Sequence, residues 1–471
     1  MSVLSTTTSS RTLAFIVAGI VFMQLLDGAI IATSLPIMAR DLGVPILSMS
    51  VGITAYLLAA AVFMPMSTWL SDRFGAVRVF LAAIIVFTLS SLACALAQDL
   101  PQFVLARIIQ GMGGAFMVPV GRAIVLERAS KDQVIHVLAT MIWPALAAPV
   151  IGPVLGGAIT TYLSWRYNFL INLPVGILGF ALVFLLVKDT KPATPRPFDW
   201  KGFILSAGGL AALLVGLELF VQQDSAIWLS LSAAGLGIVG CVAAVRHLAS
   251  APAPLLSLEP FRTPSFALST VAAGSYMRLA VEAMPFLLPL LLQIGLGYDA
   301  LQAGSLMLAY FVGNMAMKLV TTPTLRRFGF RAVLAVNGLI CALLIGACAV
   351  VVPWAPVWAV VVILGLSGLT RSMQFTALSS IAFADIDDAQ RRPASTLISI
   401  VQQVTLVLAV ATATFALKLS QWLRGGEDMA ITDLQAAILL MATLALLSTA
   451  LLLRLPAGAG DEIAGRTAAP L

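Results

Sequence analysis

Fourteen apolar windows of about 20 residues, the length that crosses a hydrocarbon layer as helix, follow one another along this chain with only short polar turns between them. They run near 13–35, 48–70, 78–98, 101–124, 136–162, 165–187, 202–221, 227–247, 266–296, 300–323, 332–353, 356–380, 394–420 and 433–454. Backbone amides in lipid have no water to bond, so a spanning segment must be helix or closed barrel, and uninterrupted windows of this length predict helices. The expected class is an all-α membrane protein. A soluble domain with one core is excluded by 60% apolar and 10% charged residues.

The windows group as six, two and six. The second leads into WLSDRFG, ending in Arg73, Phe74 and Gly75, and the tenth into LRRFG, ending in Arg327, Phe328 and Gly329. That places one turn at the same position in two six-helix halves, as duplicated transporters require. The predicted organisation is an N-terminal segment 1–12, a first half 13–187, a linker 188–265 carrying two extra spans, a second half 266–454 and a tail 455–471. With both termini cytoplasmic, most of the 27 basic residues fall inside, leaving Arg40, Arg166, Lys418 and Arg424 outside. The first window is too long for a signal-peptide core and reads as an uncleaved span.

Several classes drop out. The polar stretches 188–200, 249–264 and the tail after Leu455 are too short for a catalytic domain, and no lysine sits in a Gly-Lys-Ser/Thr phosphate loop. The histidines, His136 and His247, lie near span ends and no cluster has metal-ligand spacing, so neither metal nor cofactor is expected. Cys94, Cys241, Cys341 and Cys348 all fall inside spans and read as reduced packing residues. The +6 net charge belongs to loops facing anionic lipid, not to nucleic-acid binding. Energy must then come from an ion gradient.

The fifth window reads WPALAAPVIGPVLGG, Trp143 to Gly157. Pro149, Gly152, Pro153 and Gly156 share one helical face that a neighbouring helix can approach closely, and Gly157 follows. Asp27 sits mid-way along the first window, where desolvation disfavours the carboxylate and suits it to loading and releasing a proton; such acids are functional by default. Gln24, Ile31 and Ser34 share its face. In the fourth window Arg107, with Gln110, Gly111 and Gly114 on its face, is the natural counterpart, as proton relay or as structural anchor. In the second half, Arg278 and Glu282 stand four residues apart and predict a pair along one helix, with substrate binding as the other reading. Arg371 lies in the twelfth window. Arg122, Lys318 and Glu218 read as snorkelling side chains.

Five stretches carry a resemblance. LDGAIIATSLP (Leu26 to Pro36) is similar to L-D-x-T-x-x-N-x-x-L-P, with Ala29 and Ala32 in place of Thr and Asn. Asp72, Arg73 and Gly75 match G-x-L-x-D-R-x-G-R-K, while Thr68, Ala76 and Val77 depart from it and Arg78 restores one charge. Arg107, Gln110 and Gly111 match R-x-x-Q-G. The fifth window resembles the antiporter motif G-x-x-x-G-P-x-x-G-G except at Ala148. WRYNFLINLPVG (Trp165 to Gly176) is close to W-R-W-x-F-x-x-N-x-P-x-G. The chain therefore resembles the fourteen-helix drug:proton antiporters (EmrB/QacA type) of the major facilitator superfamily, and among them MdtD-type multidrug exporters.

The resemblance implies a proton-driven exporter of small amphipathic compounds in a bacterial inner membrane. Asp27 and Arg107 would couple protons, and Asp72, Arg73, Gly75 and Arg78 would form a cytoplasmic gate. Gln24, Ile31, Ser34, Gln110, Arg278, Glu282 and Arg371 are substrate-cavity candidates. The expected partners are lipid, a small-molecule substrate and protons around a monomer, with a periplasmic adaptor left open. A dedicated exporter of one anionic or siderophore-like metabolite stays open too, since basic residues outnumber acidic ones within the spans. A non-transporting sensor would need no proton site, and a membrane enzyme lacks a nucleophile, base or metal set.

Overall fold

The computed structural model describes residues 10–128, 134–187, 197–221, 227–252, 254–387, 390–426, 428–456 and 458–460. Among them all regular structure is helical, and thirteen helices are long and apolar enough to cross a membrane. The fifth expected span lies in the helix Val134–Tyr162, which contributes the shorter apolar stretch Ala147–Tyr162. The chain forms two compact units, Met1–Val44 with Val51–Phe198, and Pro45–Ser50 with Asp199–Leu471.

The first unit contains α1 (Ser10–Asp41), α2 (Val51–Phe63), α3 (Met66–Phe74), α4 (Ala76–Leu96), α5 (Leu100–Arg128), α6 (Val134–Tyr162) and α7 (Asn172–Leu186). Lipid tails are as apolar as leucine, so association in a bilayer rests on close packing and polar contacts more than on the hydrophobic effect. Leu13, Val17 and Ile20 of α1 pack with Phe80 and Phe87 of α4 and Met117 of α5. Close approach is set by small residues: a Cβ at Gly113 of α5 would stand 2.9 Å from the Phe87 amide nitrogen.

The second unit holds α8 (Trp200–Val221), α9 (Ile227–Ser250), α10 (Ala273–Leu290), α11 (Ala300–Phe328), α12 (Phe330–Val350), α13 (Val357–Ile381), α14 (Arg391–Arg424) and α15 (Ile431–Leu452). The two extra helices, α8 and α9, are a hairpin of this unit: a Cβ at Gly240 would meet the Cα of Gly209 at 2.8 Å, and Phe220 tilts against Phe415 of α14 at 4.7 Å. Asp199 closes the base of that hairpin, accepting from the amides of Gly202 (2.8 Å) and Leu255 (3.0 Å) and bonding His247 Nε2 (2.9 Å).

The repeated Arg-Phe-Gly turn has one cause in both units. Gly75 (φ 93°) and Gly329 (φ 78°) sit where side chains are rarely tolerated, so each reverses the chain from one helix into the next at a single residue. The ninth span, Pro264–Gly295, is irregular, with π-helical turns at Leu268–Ala272 and Leu291–Gly295.

Candidate functional site

In the first unit, Asp27 of α1 is buried and fully bonded. Its Oδ2 accepts from Arg107 Nη1 at 2.7 Å, and its Oδ1 from Gln110 Nε2 at 3.0 Å and Asn172 Nδ2 at 2.7 Å. Arg107 is held on its other sides by the Gly52 carbonyl (3.1 Å from Nε), Gln110 Oε1 (2.5 Å) and the face of Tyr56, whose centroid lies 4.2 Å away. Ser91 of α4 accepts from Gln110 and Asn172. Helices α1, α5 and α7 thus meet at one carboxylate, with Ser91 of α4 bonded to two of its donors, and such bonding is what lets a buried charge be tolerated. Gln24 donates to the Gly114 carbonyl at 2.9 Å, while Ile31 and Ser34 are packed inside; Ser34 bonds Thr160 (2.7 Å) and accepts from Asn168 (2.8 Å).

The WRYNFLINLPVG stretch fastens the start of α7 to α1. Trp165 donates to Asp41 Oδ2 at 2.9 Å, Arg166 pairs with the same oxygen, Asn168 reaches Ser34, and Asn172 reaches Asp27. The fifth-span face packs on α1 beside that acid. A Cβ at Gly152 would stand 2.5 Å from Ala29 Cβ, one at Gly156 would stand 2.7 Å from the Ile30 carbonyl, and Ala148 packs with Leu26 and Ile30. Pro153 and Gly157 are buried and Pro149 half-buried. On the α3–α4 turn, Arg73 stacks on Trp69 (5.4 Å) and Phe74 (5.7 Å), Asp72 is half-buried, and Arg78 rims an apolar cleft of about 410 Å³ lined by Leu70, Phe74, Met112 and Phe116.

The second unit repeats the chemistry, not the expected pairing. Glu282 of α10 accepts from Arg371 Nη2 of α13 at 3.0 Å, and Arg371 lies 5.9 Å from the Tyr310 ring of α11. Arg278 does not hydrogen-bond Glu282. Its Nη1 donates to the carbonyls of Thr270 (2.9 Å) and Ser269 (3.4 Å) in the π-helical turn before α10. Lys318 donates to Thr376 at 2.7 Å. The side chains of Glu218 and His136 lie outside the described residues.

Residues 17–412 match the Major Facilitator Superfamily. The chain belongs to the major facilitator superfamily. Among curated members it is 36% identical to "Putative multidrug resistance protein MdtD" of Escherichia fergusonii, over 95% of this chain and 94% of that one. The identity to the protein of that name from Salmonella paratyphi A is also 36%, over 86% of each. Solved transporter structures share the fold at low identity. The transporter PepTSo has a TM-score of 0.66 at 12% identity, covering 94% of this chain and 97% of its own. A bacterial homolog of the human lysosomal transporter Spinster, inward-facing and occupied, has 0.62 at 14%, covering 93% and 95%. The protein is therefore a multi-pass major facilitator transporter and not an enzyme.

Sequence reasoning missed the two tyrosines of this superfamily member, and a signal was present. Tyr56 stands 19 residues before Gly75 and Tyr310 stands 19 before Gly329, so the repeat that carries the turn also carries an aromatic face for the arginine. Asn172 lies within WRYNFLINLPVG, but its bond to Asp27 spans helices far apart in sequence.

Proposed function

We propose that this transporter is a fourteen-span proton antiporter that exports small amphipathic compounds across a bacterial inner membrane, both termini lying in the cytoplasm. The observation that carries the reading is the buried Asp27–Arg107 pair, side chains 1% exposed. A proton arriving on Asp27 neutralises it and ends the ion pair. Arg107 then keeps the Gly52 carbonyl, Gln110 Oε1 and the Tyr56 face as partners, so α5 stays satisfied while its hold on α1 weakens. That gives the site two arrangements separated by one proton, the bistable element that alternating access needs. The Gly152/Gly156 face would let α6 follow α1, and the Asp72–Arg78 turn would act as the gate. Relatives named for multidrug resistance support export.

Purified protein in liposomes under an imposed pH gradient, screened with amphipathic compounds of different charge, tests this. Movement that stops when the gradient is collapsed is expected. Movement indifferent to the gradient contradicts coupling, and ligand binding without movement favours a sensor.

A further inference from the structure

The acid, arginine and tyrosine of the second unit differ from those of the first in ways that point to a ligand. Asp27 accepts three hydrogen bonds, whereas Glu282 accepts one among the described residues. A guanidinium presents a planar fork that suits a carboxylate bidentately. Arg371 uses one arm of that fork on Glu282, and its Nε is buried with no partner. The Glu282 and Arg371 side chains are 16% and 15% exposed, against 1% for both members of the Asp27–Arg107 pair, so the second pair is the less enclosed of the two.

Charge points the same way. Lys318 on α11 is exposed and anchored to Thr376 on α13, five residues beyond Arg371. Arg278, one turn before Glu282 on its own helix, is buried with Nε and Nη2 unpartnered. Among the described residues Glu282 therefore stands near Arg371, Arg278 and Lys318, whereas Asp27 is paired with Arg107. Buried cations call for counter-charge, because an unpaired ion in a low-dielectric interior is costly.

We propose that Arg371, with Lys318, forms a subsite for the carboxylate of an amphipathic organic acid, and that Glu282 occupies the Arg371 fork when no ligand is bound. The inference rests on the transporter reading only for its consequence, that organic acids are among the exported compounds. Glu282 and the ligand carboxylate are the same chemical group competing for one guanidinium. Removing the glutamate's charge empties the fork without removing the cation that recognises the ligand.

The test is equilibrium binding of 2-naphthoate and its cationic analogue 2-naphthylmethylammonium to the purified full-length protein in lipid nanodiscs. Glu282→Gln is expected to tighten 2-naphthoate about tenfold or more. Adding Arg371→Gln should abolish that gain, and Arg371→Lys, which keeps charge without the fork, should recover part of it. The ammonium analogue should respond to none of these changes. A 2-naphthoate affinity that stays within about twofold across all variants overturns the subsite, as does tighter binding of the ammonium analogue or no naphthoate binding even to Glu282→Gln. Equal thermal stability of Glu282→Gln/Arg371→Gln and wild type guards against misfolding, and replacement of the pair by methionines is the second route if that variant fails to fold. Gradient-driven flux is scored separately. The charge dependence of binding without flux sinks the transport reading and leaves the subsite standing, and flux without charge dependence does the reverse.

Discussion

One nitrogen of Arg107, Nη1, lies 2.7 Å from Asp27 Oδ2 and 2.5 Å from Gln110 Oε1, so a single amino group ties α1 to α5 and to the residue one turn along its own helix. The carboxylate is in turn shared with Asn172 of α7. Loss of the cation should therefore cost more than loss of both charges. Arg107→Met is expected to destabilise the protein by about 3–5 kcal/mol, since it strands a buried carboxylate. The double variant Asp27→Asn/Arg107→Met should recover part of that, read as melting temperature in detergent. Additive losses would mean the two groups do not interact.

The α1–α6 contact gives a complementary test. Gly152→Ala places a methyl against Ala29 Cβ, and overpacking of this kind costs about 1–3 kcal/mol. Transport and stability should both fall, and Ala29→Gly in the same chain should restore them by making room. Ile151→Leu, on the exposed side of the same helix, should be neutral within about 0.5 kcal/mol. Equal sensitivity at Gly152 and Ile151 would show that the face has no special partner.

For the second unit, double-mutant cycles should report coupling of about 0.5–3 kcal/mol between Glu282 and Arg371, and a smaller one between Glu282 and Arg278, whose described hydrogen bonds go to backbone carbonyls. A larger Arg278 term would restore the along-helix pair that spacing alone suggests.

The base of the α8–α9 hairpin is acid-sensitive. Burial pushes the Asp199 carboxyl up, but the Gly202 amide, His247 and the Leu255 amide outweigh it and hold it below its ordinary 3.8. A lowered value means the carboxylate's stabilisation is in place above 3.8 and is lost as pH falls through the folded-state value. Asp199→Ala should thus lower the melting temperature at pH 7, and the gap from wild type should shrink as pH drops below about 4. A gap constant from pH 7 to pH 3 would remove Asp199 from the hairpin's stability.

How much was readable from sequence depended on how local the signal is. Span length, the Arg-Phe-Gly turn and the small-residue face of the fifth window are set by neighbours in sequence, and the structure shows helices, positive-φ glycines and close α1–α6 packing there. Asp27 and Arg107 stood out because a charge in an apolar window needs a partner, although the chain does not say which. That is why Arg278 and Glu282, four apart, suggest a pair, whereas Arg278 donates to carbonyls of the π-helical turn and Glu282 accepts from an arginine 89 residues away. Ser34, placed by periodicity on the face of Asp27, bonds Thr160 and Asn168, partners that spacing along one helix does not name.

The central claim is that Asp27 carries the coupled proton. It is tested most directly by proton movement, followed with a pH-sensitive dye inside liposomes, when an exported compound is added to wild type and to Asp27→Asn. The amide keeps the side chain's size, and Asn172, whose Oδ1 is buried without a partner, can turn that oxygen toward it, so the variant should fold. Compound-driven proton movement is predicted for wild type and a loss of at least about 100-fold for Asp27→Asn, with the variant folded but its melting temperature below wild type, because Arg107 loses its counter-charge. Undiminished proton movement by Asp27→Asn would contradict the account.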